Sequence, residues 1–371
     1  METLSTRALN RALLARQLLL ARGPGGVLET VEQLVGMQSQ VPGAPYTGLW
    51  SRLAGFDPAE PSAMMTDRRL VRISTLRGTI HLHSAADALA LRPLCQVVND
   101  RGPFGRSVYR RELAGVEQAE LLSAARKLLE AEPLTNTQLG AALLEDFPGH
   151  DPATLAWAVR DGIALVQVPP RGLWGRSGRT TSTTVEHWLG RPLDAEPSVD
   201  TLVLRYLAAF GPASVRDAQA WSGLTRLAEV FERLRSQLRS FADAATGGEL
   251  FDLPDAPRPA EDTPAPVRML PVYDNVMLGH DDRSRIVDPE DLRQLVEQNG
   301  YKPAFTVDGR IRGSWSLQPG KAVSTITVRP FGELTDDQSQ AVAAEARALL
   351  AFLAPDAREL RVVAQRGGPM A

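Results

Sequence analysis

The sequence predicts a mostly α-helical protein with small β elements, in which winged-helix motifs precede a β-rich C-terminal domain. Residues 116–180 carry three short helical stretches followed by apolar strand-like runs. The same helix order begins again near Ser198. Beyond DLPDAPRPAEDTPAP at 252–266, a linker rich in proline and acid, the pattern changes to short apolar runs joined by turns.

At the N-terminus, Leu9, Leu13 and Leu20 recur at helical spacing over 6–20, after a possible Ser5 cap. Gly23-Pro24-Gly25-Gly26 ends that helix, and a second runs from about Val27 to Val35 into Gly36-Met37-Gln38-Ser39-Gln40. STLRGTIHLH at 74–83 reads as a strand, and Ser84 with Asp87 three residues on forms a capping-box pattern for the next helix. Val116–Glu130 reads as a helix, Thr135 caps a second near Gln138–Glu145, and Asp151 caps a third near Ala153–Asp161. Ile163–Val168 is a strand, Pro169–Gly172 turns, and Leu173-Trp174 is the expected return. Three helices and a hairpin make a winged-helix pattern, whose third helix can enter the DNA major groove.

The second copy has a helix over Val199–Phe210, a break at Gly211-Pro212, and a capping-box pattern at Ser214 and Asp217. Thr225 can cap a third helix, lined on one face by Leu227, Phe231, Leu234 and Leu238. In the last part, Met269–Tyr273 is short and apolar, and Phe305–Ile311 is a hairpin about an Asp308-Gly309 turn. A strand at Val323–Val328, a helix over 336–353 and a strand at Glu359–Val363 complete the chain.

Composition bounds the function. The chain has 371 residues, enough for two or three domains. One cysteine, Cys95, excludes an internal disulfide and a cysteine-rich zinc site. With no signal-peptide pattern and no long apolar run, the expected location is the cytoplasm. The net charge of -3 argues mildly against DNA, but distribution matters more than the sum. Only Lys127, Lys302 and Lys321 are lysines, and arginines cluster over Arg68–Arg77, Arg101–Arg111 and Arg171–Arg179. Acid gathers near 251–263 and 336–345. A basic face with an acidic back fits this, as does plain arginine-rich bias.

Candidate chemistry begins with Gln38 and Gln40. Residues two apart in an extended stretch face one side, so their amides could hold a water or a sugar oxygen; the bland alternative is a surface Gln-x-Gln. His81 and His83 are likewise two apart. No third metal ligand and no HExxH accompany them, so no metal is expected. DNA contact or a structural pair are the open readings. In Leu270–Arg283, Asp274 and Asn275 could orient water or an arginine, and Arg283 could reach phosphate; a structural turn is the alternative. Arg310 and Arg312 flank the Asp308-Gly309 turn, and a basic hairpin can enter a minor groove. Phosphate-binding glycine loops are absent, which argues against ATPase and dinucleotide chemistry.

The succession RALNRALLARQ, LVGMQSQ, RGTIHLH, FGPASVRDAQAW and LPVYDNVMLGHDDRSRIV resembles the AlkZ/YcaQ-like winged-helix DNA glycosylases over nearly the whole chain. That resemblance implies tandem winged-helix motifs plus a C-terminal β-barrel-like domain. The division it suggests is 1–190 for two catalytic, DNA-binding winged helices, 191–260 for a third, and 261–371 for the β-rich domain. It implies removal of N7-alkylated purines from double-stranded DNA, bulky adducts and interstrand crosslinks of natural products included, by a monomer without cofactor. The family's catalytic element is glutamine, an aliphatic residue, then glutamine or aspartate. Gln38 and Gln40 match it, while Ser39 departs from it. His81 and His83 match a histidine-x-histidine element near the DNA, and Arg77, Arg171, Arg310 and Arg312 are expected to reach the duplex. Asp274, Asn275 and Arg283 are expected to support the site.

N7 alkylation makes the base cationic and a good leaving group. The protein's task is then to orient water at C1′ and favour an oxocarbenium-like sugar. Lyase chemistry needs an amine nucleophile, and no lysine lies near Gln38 in sequence. The rival readings are a winged-helix transcriptional regulator and a non-catalytic binder of damaged DNA.

Overall fold

A computed structural model describes residues 1–101, 111–297 and 300–365. Most of the arginine cluster at 101–111 lies outside the described residues.

Strand β1 (Glu2–Leu4) leads into helix α1 (Thr6–Arg16), which Ser5 caps by accepting from the Ala8 amide. A winged-helix unit follows: α2 (Val27–Gln33), β2 (Met37–Gln38), α3 (Ala44–Arg52), α4 (Ala59–Thr66), β3 (Leu70–Ser74) and β4 (Ile80–Ser84). The stretch expected as one strand at 74–83 is instead the junction of a hairpin. Thr75–Thr79 turns, with Arg77 and Gly78 at φ of 55 and 69, so β3 and β4 pair antiparallel. Helices α5 (Ala85–Leu94), capped by Ser84, and α6 (Gln96–Asn99) come next.

The second unit repeats the order: α7 (Gln118–Ala131), β5 (Leu134–Thr135), α8 (Asn136–Leu143), α9 (Pro152–Gly162), β6 (Leu165–Gln167) and β7 (Thr181–Thr184). The caps at Thr135 and Asp151 are as the sequence predicts. The return strand is not Leu173-Trp174. Those residues turn away, because Trp174 packs against Tyr46 and Phe352 with centroids 5.0 and 4.9 Å apart, and the ladder resumes at Thr181. Strands β3 and β6 pair antiparallel, so the two wings fuse into one six-stranded sheet in the order β2-β4-β3-β6-β7-β5.

After α10 (Val185–Leu189), the third unit is α11 (Val199–Phe210), α12 (Val215–Ser222), α13 (Leu227–Leu234), β8 (Arg239–Asp243) and β9 (Glu249–Asp252). Its wing had no sequence signal strong enough to mark, and β1 joins it in parallel. Ser214 and Asp217 form the capping box, whereas α13 starts behind Arg226 in the left-handed region rather than at a Thr225 cap.

The C-terminal part adds β10 (Arg268–Leu270), α14 (Asn275–Leu278), α15 (Pro289–Leu295), the short pair β11 (Val296–Glu297) and β12 (Gly300–Tyr301), then β13 (Ala304–Val307), β14 (Arg310–Gln318), β15 (Val323–Pro330), α16 (Asp336–Leu353) and β16 (Glu359–Ala364). The expected β-barrel-like domain is not found. The sheet is open, in the order β10-β13-β14-β15-β16, and among the described residues no sheet closes on itself. Closure is not needed to bury its apolar surface. Val342, Ala346, Leu349 and Leu350 of α16 cover one face through Phe305, Trp315 and Ile326. On the other side Leu270, Ala304 and Ile311 join the large core built on α1, α11 and α13.

No helix among the described residues is long and apolar enough to cross a membrane.

Candidate active site and nucleic-acid interface

Chain entry into the Gln38 segment is tightly held. Gly36 has φ of 87, and a Cβ there would lie 2.2 Å from the His83 ring. Only glycine fits both the backbone and that contact. Asn275 donates from Nδ2 to the carbonyls of Gly36 (2.9 Å) and Leu34 (3.3 Å), so the C-terminal part fixes the approach to β2. Asp274 caps α14 and receives both Arg52 terminal nitrogens at 2.8 Å, the pair being fully buried. Asp274 and Asn275 thus brace the framework rather than face solvent.

Gln38 is buried and is the register partner of His81, which itself faces Ile73 across β4 and β3. Paired residues share a sheet face, so Gln38 and His81 lie on one side and Arg72, next to Ile73, on the other. Ser39 is completely buried and turns to the Arg72 side. Its Oγ accepts from Arg72 Nε at 2.9 Å and its carbonyl accepts from Nη2 at 2.8 Å. Gln40 is exposed, beyond the end of β2, and its Oε1 accepts from the Ile80 amide at 3.3 Å. The strand by itself therefore does not bring both carboxamides onto one face. It places them at the two sides of an edge whose middle residue is clamped by Arg72.

Gln40 lines a cleft of about 640 Å³ between the first two winged-helix units. Its floor is Arg72, Ser74, Ile80 and Gln167, and its far wall is the start of α8 with Thr135, Asn136 and Thr137. Arg160, Arg171 and Arg179 complete it, and none of the described lining residues is acidic. A surface with four guanidiniums and no carboxylate attracts a polyanion whatever the net charge of the chain.

His81 and His83 are buried, with ring centroids 5.6 Å apart. Burial, then the Arg77 and His83 charges, hold His81 well below the usual imidazole range; burial brings His83 down to about 4. Both are neutral near pH 7. His83 Nε2 lies 2.8 Å from the Thr75 hydroxyl and His81 Nδ1 lies 3.0 Å from the Thr79 carbonyl, so the pair braces the β3–β4 turn. No group of three metal-ligating side chains occurs among the described residues.

The predicted arginines divide. Arg171 reaches the cleft while donating to the Gly178 carbonyl. Arg77 donates to the Trp221 carbonyl of α12, and burial and the neighbouring Arg283 bring it down to about 10. Arg283 donates to the Tyr301 hydroxyl at 2.7 Å. The Asp308-Gly309 turn is present, but its tip is held. Arg7 and Arg11 of α1 both pair with Asp308, and Asn10 donates to the Gly309 carbonyl at 2.8 Å. Arg310 pairs with Asp288 at 2.5 Å, and Arg312 shares a groove with Asp288, Glu290 and Asp291. These contacts tie the hairpin to α1 and α15, where neighbouring carboxylates offset its positive charge.

Sequence reasoning missed Arg72 and Gln167. Arg72 sat unremarked within an arginine cluster, and nothing local distinguishes it from Arg68 or Arg69.

Comparison with known proteins decides the family. The model of the family described as DNA glycosylase AlkZ-like matches residues 31–352. The chain belongs to the AlkZ-like DNA glycosylase family. A curated relative from Streptomyces sahachiroi, named interstrand DNA cross-link repair glycosylase, is 24% identical over 332 residues, covering 84% of this chain and 87% of the relative. The solved structure of Streptomyces sahachiroi DNA glycosylase AlkZ superposes with a TM-score of 0.76 at 21% identity, over 99% of this chain and 100% of that one. This winged-helix protein is accordingly a DNA-binding repair enzyme with glycosylase activity on damaged bases.

Proposed function

We propose that the chain is a monofunctional glycosylase that hydrolyses the N-glycosidic bond of N7-alkylated purines, with bulky adducts and interstrand crosslinks as its main substrates. The reading rests on one observation: Gln40 lines a cleft with four arginines and no acidic residue among its described lining, at the end of a segment whose Ser39 is held by Arg72 and whose Gly36 carbonyl is held by Asn275. The name of the Streptomyces relative supports the crosslink preference.

In this reading the arginine cleft takes the phosphate backbone of duplex DNA. The Gln40 carboxamide orients the attacking water at C1′ and stabilises the sugar as it acquires positive charge, while Gln38, buried on the other face of the strand, holds the segment that carries it. Neutral amides suit this reaction. The alkylated base leaves as a neutral molecule, so no strong acid is required. None of Lys127, Lys302 and Lys321 lines the cleft, which favours water over an amine as nucleophile and an abasic site as product. The enzyme works as a cytoplasmic monomer, with residues 1–190 carrying the site, 191–260 adding a third winged helix and 261–371 bracing them.

Single-turnover base release from an N7-methylguanine duplex tests this. Gln40→Ala should slow release about 100-fold, as removal of one preorganised polar group does elsewhere, while leaving DNA affinity within a few-fold. Equal loss of affinity and release would remove Gln40 from the chemistry. Borohydride trapping of a covalent adduct would rule out the monofunctional route.

A further inference from the structure

Arg72 is 2% exposed, yet among the described residues it has no carboxylate partner. The fully buried Arg16 and Arg52 differ: each meets an aspartate, at 2.6 and 2.8 Å. Arg72 spends Nε and Nη2 on Ser39, and its Nη1 has no partner at all. A buried cation without a counter-charge is costly and is kept only where something repays it. Burial, then the charge of Arg171, lower its pKa to about 10, so it is still charged at neutral pH.

Gly172 lets the backbone pack closely against the Arg72 guanidinium. Residue 172 is glycine, and a Cβ there would stand 3.2 Å from Nη1 and 2.8 Å from Cδ of Arg72. Across the β3–β6 pairing, Gln167 also has a buried Oε1 without a partner. Both line the cleft that holds Gln40, as do Arg171 and the hydroxyls of Thr137 and Ser182. Nη1 thus lacks an acceptor and Gln167 Oε1 lacks a donor; a ligand drawn to four guanidiniums with no carboxylate among the described lining residues is anionic, and its oxygens can satisfy Nη1.

We infer that Arg72 Nη1, with Arg171, binds one backbone phosphodiester of the damaged strand, and that this single contact sets the strand's register against Gln40. It rests on the proposed function only for the role of Gln40; the phosphate site itself does not. Pairing Arg72 with phosphate also neutralises a cation that would otherwise oppose the developing positive charge on the sugar. Arg72 is thus a positioning residue with two arms, one on Ser39 and one on the DNA.

The test uses the full chain and a duplex carrying a tetrahydrofuran abasic-site analogue. Neutral methylphosphonates replace, one at a time, the phosphates around the analogue. One position should weaken wild-type binding about tenfold, the size of a charge-assisted contact. Arg72→Gln should lose a similar amount and become indifferent to that position, and its slope of log Kd against log salt should fall by about 0.9. Wild-type Kd, salt slope and methylphosphonate response in Arg72→Gln would overturn the inference and leave Arg72 a prop for Ser39 alone. If Arg72→Gln does not fold, Arg171→Gln, which does not touch Ser39, decides: blunted sensitivity at the same phosphate supports the site, and undiminished sensitivity overturns it. A wild-type chain that shows this coupling but releases no alkylated base would sink the catalytic reading and keep the phosphate site.

Discussion

Ser39 is completely buried and bonded twice by Arg72, a pairing that can be tested by replacing the serine with an aliphatic side chain. Ser39→Val removes the acceptor 2.9 Å from Arg72 Nε and places two methyl groups in a position with no solvent exposure. Losing a hydrogen bond to a buried charge costs about 1.5–3 kcal/mol. Forcing extra volume into a closed site adds about 1–3 kcal/mol. The expected loss is about 2.5–6 kcal/mol, a large share of the stability of a typical domain. Ser39→Ala isolates the first part and should cost about 1.5–3 kcal/mol. Urea unfolding measures both. In an Arg72→Met background the valine should cost at least 1 kcal/mol less, because residues in contact couple by about that much. Base release should fall as well, since Gln38 and Gln40 flank the disturbed residue. A Ser39→Val protein as stable and active as wild type would refute the view that Arg72 and Ser39 compensate one another.

Three further outcomes follow from the same framework. Asn275→Ala leaves the Leu34 and Gly36 carbonyls without their donor, and should cost about 1–3 kcal/mol while slowing release more than it weakens binding. Asp274→Ala strands the buried Arg52 charge and should cost about 3–5 kcal/mol by urea unfolding. Acid should destabilise the fold through His83: unfolded, it binds a proton near pH 6.5, but folded only near 4, so stability is full above about 6.5 and declines toward pH 4, by about 3 kcal/mol. His81 adds in the same direction. Denaturant midpoints at several pH values in that window, with His83→Gln for comparison, check this; an unchanged slope in the variant would refute it.

Much of the helical framework was legible. Ser5, Thr135, Asp151 and Ser214 cap their helices, and the helix over 199–210 begins and ends as its periodicity and Gly211-Pro212 require. Local chemistry fixes such features. What failed depended on distant contacts. The turn inside 74–83 needs Arg77 at a positive φ, which no propensity encodes. The return strand slid to Thr181 because Tyr46, Ser62 and Phe352 claim the 172–174 stretch. The C-terminal sheet stayed open because α16 and the helical core cover its faces, a matter of packing between elements. At the site, the glutamines stood out by family pattern. Arg72 did not, because its significance lies in Ser39 bonding two of its nitrogens and leaving the third free.

Base release most directly tests the central claim. Duplexes carrying N7-methylguanine or an N7-linked crosslink would be incubated with the full chain and with Gln40→Ala, and abasic sites read after alkaline cleavage. The account predicts release from both substrates by wild type, favouring the crosslink, and about 100-fold slower release by the variant. No release by wild type with duplex binding intact, or equal release by the variant, would contradict it.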